Sequence, residues 1–145
     1  MLKLYRCHGL GNDYLVLEED LELRADVVRQ ICDRHHGVGS DGILQPTACA
    51  QADYGVRIWN PDGSIAEKSG NGLRIFALWL HRFREAGSTF TIWAGFDVVS
   101  CSVDGDQIEV EMGQATSEPK RIPVLAEAPV VDQLWECGDI SLPVT

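Results

Sequence analysis

Ser69-Gly70-Asn71-Gly72 stands directly before a long apolar run, and its residue types suit the reception of a negatively charged ligand. The first N–H groups of a helix have no partner inside it, and the helix dipole favours negative charge at that end. Glycines at 70 and 72 remove the side chains that would hold a ligand away. Gly70-Asn71-Gly72 is therefore a candidate cradle for a carboxylate or phosphate, with Ser69 beside it where a reactive side chain would face the bound anion. The same residues have a plainer use, because serine and asparagine cap helices well. Spacing does not separate the two uses.

Asn12 poses a similar choice in His8-Gly9-Leu10-Gly11-Asn12-Asp13. Either Asn12 and Asp13 bond their own backbone in a tight turn, or Asn12 offers its amide to a ligand. Asn60-Pro61-Asp62-Gly63 reads as a turn feeding a short connector, and Gly37-Val38-Gly39-Ser40-Asp41-Gly42 as a constrained loop.

Several familiar chemistries do not fit. Gly9-Leu10-Gly11 opens the β-type run Tyr14–Leu17 rather than a helix and lacks the third glycine of a dinucleotide fingerprint. The loop at 37–42 lacks the lysine of a P-loop. Cys7, Cys32, Cys49, Cys101 and Cys137 are odd in number, scattered and without a Cys-x-x-Cys pair, which argues against a zinc site or a disulfide framework. They read as buried structural thiols in a reducing cytoplasm. His35 and His36 have no partner spaced to complete a metal site, so with Arg34 they are expected to face the negative pole of a helix end. Lys68-Ser69-Gly70-Asn71-Gly72 lacks the leading glycine of a nucleophile elbow. A net charge of −10 over 145 residues excludes nucleic acid or an anionic membrane as the main partner, and no apolar stretch is long enough to span a bilayer.

The elements that must position these residues follow from periodicity. Strands are expected at Leu2–Cys7, Tyr14–Leu17, Gly42–Gln45, Tyr54–Trp59, Ser88–Trp93, Asp97–Val103 and Gln107–Met112, with a hairpin at Asp104-Gly105-Asp106. Ala25–Arg34 predicts an amphipathic helix with Val27, Val28, Ile31 and Cys32 on one face. From Leu73 to Leu80 only Arg74 is polar, so the helix after Ser69 is expected to be buried, with His81–Glu85 in water and Gly87 in the left-handed position past its end. Gly113–Pro129 reads as linker or edge, and Gln133–Val144 as one or two more strands. The fold class is α+β: mainly antiparallel sheet around a central buried helix, in one domain of 145 residues.

Taken together, the segments at 8–13, 37–42, 60–64 and 69–72 occur in an order and spacing that resembles the N-terminal half of diaminopimelate epimerases, over the chain from about Leu2 onward. The resemblance implies two similar α+β domains and a cofactor-independent, metal-independent interconversion of LL- and meso-diaminopimelate for lysine and cell-wall synthesis. One cysteine from each domain would flank the α-carbon, and the ligand carboxylate would rest on the N-termini of two central helices. It assigns Asn12 and Asn60 to holding substrate and Gly70 with Asn71 to the carboxylate cradle, in a cytoplasmic enzyme.

Three departures stand out. Ser69 occupies the position of the first catalytic cysteine. A serine hydroxyl does not reach its anion at neutral pH without an adjacent base, for which Lys68 and His8 are the open candidates. The second domain is missing from these 145 residues, so the chain is expected to be inactive alone and to pair with a second epimerase domain or form a homodimer. Self-association is expected through an apolar rim near Trp59. Some relatives carry glutamine where this chain has Gly42. The competing readings are a one-base lyase or dehydratase acting on a hydroxylated amino acid, and a non-catalytic amino-acid-binding module.

Overall fold

The computed structural model describes residues 3–122 and 124–144, which divide after Met112 into a larger N-terminal unit and a smaller C-terminal one. In the larger unit the strands are β1 (Leu4–Gly9), β2 (Asn12–Leu17), β3 (Ile43–Thr47), β4 (Tyr54–Trp59), β5 (Ile65–Ala66), β6 (Thr89–Trp93), β7 (Val98–Asp104) and β8 (Gln107–Val110). Two helices interrupt them, α1 (Ala25–Cys32) and α2 (Gly70–Phe83).

The strands make one mixed sheet in the order β1-β2-β3-β4-β6-β7-β8, with β5 on β4. The pairs β2–β3 and β4–β6 are parallel, and the other pairs of this sheet are antiparallel. Each parallel pair follows from a helical crossover, α1 between β2 and β3 and α2 between β4 and β6. Helix α2 touches β1 and β2 at one end of the strand order and β7 and β8 at the other, so the sheet is curled.

Alternation along the central strands sorts side chains to two cores. Tyr14, Val16, Leu44, Val56 and Ile58 pack with Leu73, Phe76, Ala77 and Leu80 of α2. Leu15, Leu17, Ile43 and Trp59 pack with Val28 and Cys32 of α1. This explains the unbroken run Tyr14–Leu17: β2 is covered on both faces. Trp59 itself is only 7% exposed, its indole N–H donating to Gln45 Oε1 at 2.8 Å, while Ile65, its partner across β4 and β5, is exposed. Two expectations for α1 are corrected: Val27 faces solvent, and the helix ends at Cys32.

Helix α2 stops before Gly87. Arg84 N–H and Ala86 N–H both return to Leu80 O, at 2.9 and 3.3 Å, and Glu85 takes the left-handed conformation (φ 54°) expected of Gly87. The residues His81–Glu85 are exposed. Between β1 and β2 the turn is only Leu10-Gly11, with φ of 55° and 89°, the primed geometry that matches the twist of a hairpin.

The smaller unit holds a short 3-10 turn at Pro119–Arg121 and an antiparallel hairpin of β9 (Gln133–Cys137) and β10 (Ile140–Val144). Among the described residues no helix is long and apolar enough to cross a membrane.

Candidate functional site at the N-terminus of α2

Ser69 precedes α2 in an extended conformation (φ −143°), and its Oγ accepts the N–H of Gly72 at 3.0 Å. Its carbonyl accepts the N–H of Leu73 at 2.8 Å. Ser69 is therefore a helix cap. The N–H groups of Gly70 and Asn71 lie at the first two helical positions, where a helix offers them no internal acceptor. The two glycines serve differently. A Cβ on Gly70 would meet nothing nearer than the Arg74 guanidinium at 3.8 Å, leaving the backbone open to approach. A Cβ on Gly72 would press on Ser69 Oγ at 3.1 Å and Leu44 Cδ2 at 3.2 Å, so this glycine lets the helix seat against β3.

A second donor reaches Ser69. The phenol of Tyr14 lies 3.1 Å from Ser69 Oγ, and Tyr14 is 5% exposed. A phenol is the more acidic of two hydroxyls, so Tyr14 donates and Ser69 accepts. Sequence reasoning treats Tyr14 as one more core residue of β2. The available signal is a tyrosine within a buried aliphatic run, where its hydroxyl needs a partner. Gly42 makes room for the ring: a Cβ there would stand 2.7 Å from Tyr14 Cε1 and inside contact distance of the Trp59 carbonyl oxygen.

From Asn71 a directional chain of hydrogen bonds runs outward. Arg74 donates to Asn71 Oδ1, and Asn71 Nδ2 points to Asn12 Oδ1 at 3.5 Å. Asn12 Nδ2 donates to Asp41 Oδ2 at 2.8 Å. One end is a guanidinium, which only donates, and the other a carboxylate, which only accepts, so both amides have one consistent orientation. Arg34 then bridges Asp41 Oδ1 at 2.7 Å and Asp13 Oδ1 at 2.6 Å. The Asn12 amide holds the Asp41 carboxyl below the usual carboxylate range, with help from the Asp13 N–H and Arg34.

This network revises the expected roles of three residues. Asn12 and Asp13 do not use their side chains to close their own turn; they reach Asp41 and Arg34. Arg34 does not serve the α1 terminus. There it is Asp33 that accepts the N–H groups of His35 and His36, each at 2.7 Å. The loop 37–42 folds back on α1, with Gly39 N–H on Ile31 O and Ser40 N–H on Cys32 O, which delivers Asp41 to Asn12.

Ser69, Asn71 and Asn12 are thus brought together, whereas the Asn60 amide is bonded within its own turn. Its Nδ2 donates to Ser64 Oγ at 3.0 Å within its own turn, which is closed by Gly63 N–H on Asn60 O. Neither sequence candidate for a base at Ser69 is bonded to it. Lys68 Nζ binds Asp97 at 2.9 Å and the Met112 carbonyl, and His8 is exposed opposite Asp13 on β1. The cysteines are all free, but they are not uniformly buried: Cys32 and Cys101 are, Cys7 and Cys49 are half-buried, and Cys137 is exposed. Burial raises the thiols of Cys7 and Cys32, and that of Cys101 to about 11.

A family model described as diaminopimelate epimerase matches residues 4–118. A relative from Nostoc sp., diaminopimelate epimerase 2, is 42% identical over 133 residues, which covers 87% of this chain and 47% of the relative. A diaminopimelate epimerase of Methanococcus maripaludis is 34% identical, covering 91% of this chain and 51% of that protein. The chain spans about half the length of the curated relatives it matches. Among solved structures, a phenazine biosynthesis protein of the PhzF family from Bacillus anthracis superposes with a TM-score of 0.56 at 15% identity. It covers 75% of this chain and 38% of that one, a likeness of fold. With the family model spanning nearly all of the unit that carries Ser69, Asn71 and Asn12, the chain belongs to the diaminopimelate epimerase family.

Proposed function

We propose that this chain is the N-terminal half of a cofactor-independent amino-acid isomerase that interconverts LL- and meso-diaminopimelate in the cytoplasm. In this reading the sheet of the larger unit wraps α2 as its axis, and a second epimerase domain, or a second copy, closes the site. Ser69 occupies an acid/base position, Gly70 and Asn71 receive the substrate carboxylate, and Asn12 and Asn60 hold the remainder. The observation that carries the reading is the open helix terminus at Gly70-Asn71 with Ser69 beside it, in a chain of this family.

Inversion at a carbon needs one group to remove a proton from one face and another to supply one from the opposite face. The chain offers one such position, so alone it binds and does not invert. The filled lone pairs of Ser69 favour a second reading for the chain in isolation, a non-catalytic amino-acid-binding module. A hydroxyl oxygen already accepting from Gly72 and Tyr14 is poorly disposed to take a proton from carbon.

Exchange of the α-proton of LL- and meso-diaminopimelate in deuterated water tests the assignment. It should be run on the chain alone, on the chain fused to the part of the Nostoc relative that it does not match, and on Ser69→Cys versions of both. Exchange is expected only in the fused form carrying Ser69→Cys. Exchange by the fused form with native Ser69 would make serine a working base, and no exchange in any form would remove diaminopimelate as the substrate.

A further inference from the structure

We propose that Tyr14 is a positioning residue of this site, its phenol and the Gly72 N–H forming a two-donor pocket that holds whatever heteroatom residue 69 carries. The inference rests on the reading of Ser69 as the acid/base position and deepens it. A serine hydroxyl has two acceptor lone pairs and one proton. In this chain both lone pairs are taken, by Tyr14 Oη at 3.1 Å and Gly72 N at 3.0 Å. The proton is the only polar handle that Ser69 has left to present to a ligand. Ser69 therefore acts here as a hydrogen-bond donor toward an oxygen of the bound amino acid, and not as a base.

The same pocket has the opposite consequence for a thiol. Two donors aimed at one atom favour its charged form, because hydrogen bonds to an anion lower the pKa of its acid. The helix dipole acts in the same direction. Tyr14 is well placed for this task because its ring is fixed. It is buried in the core between β2 and α2, and the glycine at 42 gives it the space to lie there.

The experiment requires neither diaminopimelate nor turnover, so its failure is distinguishable from failure of the isomerase assignment. The alkylation rate of residue 69 in Ser69→Cys protein is followed against pH by peptide mass mapping, which separates it from the five native cysteines. The midpoint should lie below the ordinary thiol value of ~8.5. Adding Tyr14→Phe should raise it by about one unit, an approximately tenfold loss of thiolate well below the midpoint. Tyr5→Phe, which removes a phenol bonded instead to Glu18, should leave it unchanged. Equal midpoints with and without the Tyr14 phenol would overturn the proposal, as would an equal effect of Tyr5→Phe. A reciprocal measurement keeps every core ring in place. In Ser69→Cys protein labelled with 13C-tyrosine, the Cζ resonance of Tyr14 should titrate with the midpoint of the residue 69 thiol, and a Tyr14 resonance blind to that titration would equally overturn it.

Discussion

Asp41 accepts the Asn12 amide, the Asp13 N–H and the Arg34 guanidinium, so its charge state decides whether Asn12 keeps its orientation. Its folded carboxyl lies below the usual value, with the Asn12 bond the largest cause. A depressed carboxyl contributes stability above its unfolded pKa of ~3.9, and that contribution is lost as pH falls through the lower folded value. An NMR titration of Asp41 should therefore show a midpoint under ~3.9. Asn12→Ala and Arg34→Ala should each return it toward that value, and a midpoint unmoved by Asn12→Ala would remove the amide from the account. Ser69 and Asn71 are legible in the sequence because a helix start is a local event with local residue preferences. Tyr14, Arg34 and Asp41 are not, since their roles arise only when the hairpin, the loop after α1 and the start of α2 meet. Asn12 falls between: its side-chain chemistry is visible, but its partner lies 29 residues away.

At the scale of elements, α2 depends on its first turn. Ser69→Ala should cost about 1 kcal/mol from the lost cap, measured by urea denaturation. It should cost more where it strands the Tyr14 hydroxyl without an acceptor. Tyr14→Phe in the Ser69→Ala background should recover part of that excess, a coupling that a double-mutant cycle reads directly. A Ser69→Ala loss within a few tenths of a kcal/mol would remove the cap from the account. The positions of β2, β4 and α2 were readable because each is long, apolar and bounded by turn residues. The end of α2 was not. A glycine after a helix is a strong stop signal, but here Glu85 closes the helix, with Ala86 buried behind it. The helix that tertiary packing requires is shorter than the one the glycine permits. The parallel pairs of the sheet were equally hidden, since they depend on where the crossovers through α1 and α2 return the chain.

The whole molecule is uneven in how well its strands are supported. In the larger unit β3 and β4 are flanked on both edges and packed against both helices. Along β9 and β10, Leu134, Trp135, Ile140 and Leu142 are all about half exposed or more. A two-stranded hairpin without a third strand or a helix to pack on is marginal in water. Amide hydrogen exchange should accordingly be fast across 133–137 and 140–144 and slowest in α2 and the central strands. Equal protection in both units would mean that the hairpin is supported as well as the core. Ile65, which pairs with the buried Trp59 across β4 and β5, is exposed, as are Phe96 and Val98 and also Leu10, Val38 and Phe83, and a self-associating face near Trp59 should be sought at Ile65. Finally, the Tyr14 ring fills the space that a side chain at 42 would need, and the same ring delivers its phenol to residue 69. Positions 42 and 69, 27 residues apart in the chain, are therefore coupled through one ring, and a side chain at 42 that displaces the ring should also withdraw the phenol from residue 69.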